Sequence, residues 1–179
     1  MGNINVFTGP MYCGKSQSLI NEANRQKIAG KKVAVFKPLI DDRFSNDDIM
    51  DRNGNKFPAT NIEKIDEIEK YDADVYIIDE FQFLTGDIEV ILKLADKGKK
   101  FFIGGLNLTA ERKPFGLMGD ILCHADNIQL MTAICDECHS ENAIYTYCKV
   151  EKTGEILVGD DEYSALCSEC YKKLTNNKM

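Results

Sequence analysis

Eight consecutive residues, Gly9-Pro10-Met11-Tyr12-Cys13-Gly14-Lys15-Ser16, constrain this chain more than any other stretch. They spell G-x-x-x-x-G-K-[ST], a loop whose glycines let main-chain N–H groups curl inward around phosphate oxygens. The Lys15 ammonium can reach the β- and γ-phosphates of a nucleotide, and the Ser16 hydroxyl can ligate Mg²⁺. Asn3-Ile4-Asn5-Val6-Phe7-Thr8 reads as a strand before the loop, and residues 15–29 read as a helix after it. That context is an independent requirement, because a helix N-terminus favours the anionic phosphate. Cys13 lies close enough to this terminus to favour a thiolate, but a small side chain in a tight loop is the simpler reading.

Apolar runs then alternate with helical spacing. Lys32-Val33-Ala34-Val35-Phe36-Lys37-Pro38, Val75-Tyr76-Ile77-Ile78 and Phe101-Phe102-Ile103-Gly104-Gly105-Leu106 read as strands buried on both faces. Ile62, Ile65, Ile68 and Tyr71 predict one short helix, and Ile88, Ile91, Leu92 and Ala95 predict another. The pattern predicts an α/β fold built on a parallel sheet, of the P-loop NTPase type. The polar segment from Ile40 to Gly54 reads as a long mobile loop, a kind of loop that is often functional.

The character changes near Thr132. All of the seven cysteines except Cys13 lie from Cys123 onward, and strands and turns are expected to replace helices. The chain is therefore divided into a nucleotide-binding domain, 1–132, and a small C-terminal domain, 133–179. Residues 143–150 and 155–158 flank Lys152-Thr153-Gly154 and predict a β-hairpin.

The formal net charge of -7 argues against a general nucleic-acid or anionic-membrane surface, since both need basic patches. No apolar run reaches membrane-spanning length, and no charged-then-apolar leader opens the sequence. A cytoplasmic location is expected, where thiols stay reduced and grouped cysteines suggest a metal. Cys135-Asp136-Glu137-Cys138 and Cys167-Ser168-Glu169-Cys170 form two C-x₂-C pairs, enough for a closed, structural Cys₄ zinc site. Cys135-x-x-Cys138-His139 also matches a c-type haem attachment, but haem would leave the second pair unexplained.

Asp79 and Glu80 end the strand that starts at Val75. Side chains there face the ligand crevice of a parallel sheet. Asp79 is assigned to Mg²⁺ and Glu80 to accepting a proton from an attacking hydroxyl or water. Arg43, in Asp41-Asp42-Arg43-Phe44-Ser45, is a candidate for stabilising charge on a transferring phosphoryl.

Together these pieces resemble the type II, cytosolic-type thymidine kinases, which carry a zinc-bearing lasso domain. The phosphate loop is similar to that family's GPM-[FY]-x-GK-[ST], and residues 41–45 to its D-x-R-[YF]-S. Asp79-Glu80-Phe81-Gln82-Phe83 matches DE-x-QF, and Lys113-Pro114-Phe115-Gly116 contains its PFG element. The paired cysteines and Tyr163 match the lasso. The resemblance implies transfer of the γ-phosphoryl of ATP, with Mg²⁺, to the 5′-hydroxyl of thymidine or deoxyuridine. It implies Glu80 as base and Arg43 beside the moving phosphoryl. Met11, Phe83, Leu106 and Tyr163 would line the nucleoside pocket, and main-chain groups near Val158 and Gly159 would read the base edge. A homotetramer inhibited by thymidine triphosphate is also implied. The family's L-D-x-x-F is here Leu106-Asn107-Leu108-Thr109-Ala110, so an aromatic that stacks near thymine is missing at Ala110. An arginine of the lasso corresponds loosely to Cys148. A kinase for another nucleoside, or a P-loop ATPase or switch whose zinc module binds a partner, is the alternative.

Overall fold

The computed structural model describes residues 2–40, 47–150 and 162–176. Ile4–Thr8 forms β1, and the phosphate loop leads into α1, Lys15–Ile28. Leu19, Ile20 and Ala23 share the buried side of α1, and Arg25 and Lys27 in its last turn complement the helix dipole. Next come β2 (Val33–Pro38), β3 (Asp48–Met50), β4 (Lys56–Pro58) and β5 (Thr60–Ile62). A 3₁₀ helix at Ile65–Lys70 precedes β6 (Val75–Ile78), and a 3₁₀ turn at Phe81–Phe83 follows it. The sheet domain continues through α2 (Glu89–Asp96), β7 (Lys100–Gly105), α3 (Met118–His124) and β8 (Asn127–Leu130). β9 (Tyr145–Cys148), β10 (Tyr163–Leu166) and α4 (Ser168–Asn176) complete the described elements.

Six strands pair in the order β5-β2-β6-β7-β1-β8, and every pair is parallel. The expected α/β fold on a parallel sheet is therefore what forms. Strand alternation divides the core into two layers. Val35, Ile77 and Phe102 pack with Leu19, Ile20 and Ala23 on the α1 face. Ile4, Val6, Phe36, Tyr76, Ile78, Phe101 and Ile103 face the opposite layer, against Ile91, Met118 and Ile121. On that side Phe36, Tyr76 and Phe101 stack across three neighbouring strands. Each fully buried side chain of this size contributes roughly 1.5–3 kcal/mol by leaving water.

Two expectations are corrected. Part of the segment read as a mobile loop is strand: β3 lies within it, pairs antiparallel with β4 just beyond it, and buries Ile49 against the α1 layer. Strands of three residues are too short to carry a period. Residues 41–46 lie outside the described residues. The C-terminal part is not free of helix, because α4 buries Cys170 and Tyr171. Among the described residues β9 pairs with β10, antiparallel with Tyr163 opposite Cys148. Residues 151–161, which include the predicted second strand, lie outside the described residues.

Candidate functional site

The phosphate loop leaves the carboxyl end of β1 with three residues at positive φ: Gly9 at 149°, Tyr12 at 69° and Gly14 at 88°. Lys15 is buried, and its ammonium donates to the Pro10 carbonyl at 2.7 Å and lies 3.6 Å from the Cys13 sulfur. The cation therefore sits over the concavity of the loop, at the start of α1 where Ser16 follows. Gly9 is needed for space as well as conformation, since a Cβ there would come within 2.3 Å of the Met131 carbonyl oxygen.

The loop is buttressed by the C-terminal module. Met11 N donates to the Thr146 hydroxyl on β9 at 3.0 Å, and the Tyr12 hydroxyl donates to the Tyr163 carbonyl at 3.2 Å. Cys13 packs in the apolar cluster that contains Ala143, Ala165 and Leu166.

Asp79 and Glu80 follow β6. Asp79 N donates to the Phe36 carbonyl at 3.0 Å, so Asp79 continues the pairing beside Lys37. Alternation puts Asp79, Lys37 and Gly104 on the α1 face, the face that also carries Leu19. Asp79 and Lys37 are both buried, at 4% and 2% relative exposure. The Asp79 carboxylate accepts from Glu80 N at 2.9 Å. Glu80 itself is in the left-handed region, φ 47 and ψ 42, an uncommon conformation for a side chain of its kind. This turns the chain sharply into Phe81–Phe83, where Gln82 donates to the Glu80 carboxylate and accepts from Leu106 N at 3.0 Å.

Each pocket candidate, or its neighbour in the chain, makes short contacts of its own. Phe83 packs edge-on against Phe115, with ring centroids 5.4 Å apart. Leu106 follows β7, whose Gly105 carbonyl accepts from the Thr8 hydroxyl at 2.9 Å, immediately before the phosphate loop. Met11 and Tyr163 meet that loop from the side of β9 and β10. Ala110 lies in a loop closed by Thr109 N to the Lys113 carbonyl, and its own carbonyl accepts from the Tyr171 hydroxyl at 2.7 Å. Arg112 in the same loop lies over the Tyr145 and Tyr171 rings, at 5.4 and 5.5 Å. Burial pushes the Tyr171 hydroxyl above its ordinary pKa, opposed by the Arg112 charge.

Cys135, Cys138, Cys167 and Cys170 bring their sulfurs within 4.8 Å of one another. Cys138 and Cys167 are 3.7 Å apart, close to the ~3.8 Å edge of a tetrahedron with Zn–S bonds of about 2.3 Å. Burial raises the Cys135 thiol pKa, but N–H donors at Cys138, Cys167 and Glu137 outweigh it and bring it below its usual value. Cys138 is lowered by Ser140, and Cys167 by the main chain of Cys170. Cys170, desolvated beside the other three, is pushed up to about 12. Four converging sulfurs cannot all ionise without a cation, so this donor set fits a structural zinc ion.

Sequence reasoning assigned these groups to the strand ends and to a cysteine site; the structure brings the four cysteines together and leaves Asp79 and Glu80 directly after β6. Arg43, Val158 and Gly159 lie outside the described residues. It missed Lys37, whose signal was a lysine at the carboxyl end of an apolar strand. It gave Gln82 no role of its own. It also missed Arg52, whose guanidinium lies 3.9 Å from the centre of the Tyr12 ring. Arg52 is carried there by the β3–β4 turn, which Asp51 braces by accepting from Asn53 N and Asn55 N.

No described helix is long and apolar enough to cross a membrane. The family model described as thymidine kinase matches residues 2–171. A thymidine kinase of Porphyromonas gingivalis is 35% identical, covering 98% of this chain and 87% of the relative. One of Mycoplasma mobile is 37% identical, covering 99% and 91%. One of Bacteroides fragilis is 35% identical, covering 96% and 88%.

Proposed function

The chain belongs to the thymidine kinase family, and from that premise we propose how its own residues divide the transfer of a phosphoryl group from ATP to thymidine. Gly9 to Ser16 hold the triphosphate, with Lys15 exchanging the Pro10 carbonyl for β- and γ-phosphate oxygens. Ser16 and Asp79 would be the oxygen donors that hold Mg²⁺, and the ion would offset the negative charge of the phosphates. Lys37, buried beside Asp79, adds a second positive charge to that crevice. Glu80 accepts the proton of the 5′-hydroxyl as its oxygen bonds to the γ-phosphorus, and the bond to the ADP leaving oxygen breaks. Arg43 is assigned to the charge on the moving phosphoryl.

Met11, Phe83, Leu106 and Tyr163 enclose the nucleoside, and main-chain groups near Val158 and Gly159 read the pyrimidine edge. The reading retains a nucleotide-binding part, 1–132, and a zinc-stabilised lasso part, 133–179. It includes a cytoplasmic homotetramer inhibited by thymidine triphosphate, with no nucleic-acid or membrane partner. Assembly has one supporting feature: β8 is an uncharged edge strand with Ile128 and Leu130 exposed, at 48% and 63%.

The observation that supports the chemistry is the pair Asp79–Glu80 at the carboxyl end of β6, with Asp79 buried on the sheet face that α1 covers. The test is ADP release with Mg-ATP across a nucleoside panel, with products scored for 5′-monophosphate. Thymidine and deoxyuridine should be used and purine nucleosides refused, and release should require the nucleoside. Equal ADP release without nucleoside would identify an ATPase. Preference for deoxyguanosine or deoxyadenosine would leave a kinase with another acceptor.

A further inference from the structure

We propose that Gln82 is a positioning residue for Glu80, holding its carboxylate ionised and at a fixed distance from the Leu106 wall of the pocket; this rests on the reading of Glu80 as base. Gln82 is buried, at 3% relative exposure, and uses both ends of its amide. Its oxygen accepts from Leu106 N at 3.0 Å, and its nitrogen donates to the Glu80 carboxylate. The Leu106 N–H decides which way the amide faces. A flipped amide would set two donors together at Leu106 and two acceptors together at Glu80.

The walls around Gln82 close because they are made of glycine. A Cβ at Gly105 would lie 2.8 Å from the Gln82 amide oxygen, and one at Gly116 would lie 2.2 Å from its carbonyl oxygen. Gly116 also stands at φ 50, which a side chain would strain. The Glu80 main chain is held in the left-handed region only two residues earlier. The whole turn is therefore locked, and one side chain converts that rigidity into an orientation of the carboxylate.

The consequence is chemical. A donor to the charged form of a carboxylate favours that form, and a fixed carboxylate reaches the 5′-hydroxyl proton without a rotamer search. Among the described residues, charged groups at the ends of the surrounding strands include Asp79 beside Glu80, Lys37 on β2 and Lys15 at the start of α1. None of these is linked to the pocket wall through Leu106 as Gln82 is.

The test compares kcat against pH for the full chain with Gln82→Met, Gln82→Glu, Glu80→Gln and the double variant Glu80→Gln/Gln82→Met. Gln82→Met should lower kcat about 10- to 100-fold with the KM for ATP within about twofold, and move the acid limb of kcat upward by about one pH unit. Gln82→Glu keeps the acceptor for Leu106 N but sets a second carboxyl against Glu80. The two should share a proton and move the limb upward as well. The double variant should be no slower than Glu80→Gln alone, within about threefold, because Gln82 acts through Glu80. An unmoved acid limb, or losses that multiply in the double variant, would overturn the proposal. If Gln82→Met does not fold, the limb of Gln82→Glu decides. If Glu80→Gln keeps full turnover, the reading of the base has failed, which is a different result from an inactive Glu80→Gln beside an unaffected Gln82→Met.

Discussion

In the proposed transfer Lys15 and Glu80 serve opposite ends of the reaction, and their surroundings differ accordingly. Lys15 is a buried cation satisfied by the Pro10 carbonyl, so it is pre-positioned over the loop that will receive phosphates. Lys15→Ala removes that charge and should abolish turnover with every nucleoside offered. Retained turnover with Mg-ATP would place the phosphate site elsewhere. Glu80→Gln keeps the shape and removes the base, so ATP binding should stay near normal. Turnover should fall by roughly two orders of magnitude or more, as measured in single-turnover assays. Both residues were legible in place, because a short motif marks the loop before α1 and a strand end marks the turn after β6. Lys37 and Arg52 were not. Lys37 takes its meaning from the register that sets β2 beside β6, and Arg52 from a turn that carries it onto Tyr12. Neither relation is local in sequence.

At the scale of elements, the long buried strands and α1 were readable because their apolar runs have a length and period that only one element satisfies. β3, β4 and β8 were not readable. The first two have three residues each, and β8 is exposed along its whole length, so no alternation is written into it. α4 was hidden because its first turn coincides with a cysteine pair already explained by metal. The loop after β7 is an element of a different kind, held from outside. Tyr171 holds its Ala110 carbonyl, and Arg112 lies over two tyrosine rings. Tyr171→Phe should cost about 1 kcal/mol of stability and raise the KM for thymidine more than the KM for ATP. Equal changes in both constants would count against this loop as a wall of the nucleoside site. Base–aromatic stacking is worth roughly 1–3 kcal/mol in single-strand binders. By that analogy Ala110→Phe should lower the KM for thymidine with little change in kcat, provided the pocket accommodates the ring; an unchanged KM would show that the ring does not reach the base.

For the molecule as a whole, the division into a nucleotide part and a cysteine-rich part conceals how closely they depend on each other. The phosphate loop is tied to β9 and β10, by its main chain at Met11 N to the Thr146 hydroxyl and by the Tyr12 side-chain hydroxyl to the Tyr163 carbonyl. The cysteine site is tied to the end of β10, the partner of β9: Ala165 N donates to Asp136 at 2.8 Å, and Cys167 N to the Cys135 sulfur at 3.4 Å. About one zinc per chain is expected by metal analysis, and none, or covalent haem, would refute the site. Cys138→Ser or Cys170→Ser should loosen both strands and so weaken ATP as well as thymidine binding, while the six-stranded sheet stays folded. A cleaner test leaves the metal alone. Thr146 is 5% exposed, and Thr146→Val keeps its volume while removing the acceptor for Met11 N. A buried donor left without a partner costs about 1–3 kcal/mol. In a chain of this size that corresponds to a fall in melting temperature of roughly 2–4 °C per kcal/mol. If the lasso side holds the phosphate loop in shape, the KM for ATP should rise several-fold while bound zinc stays unchanged. A lowered melting temperature with an unaltered KM for ATP would mean that the loop keeps its shape without the module, and that the two parts share stability but not function.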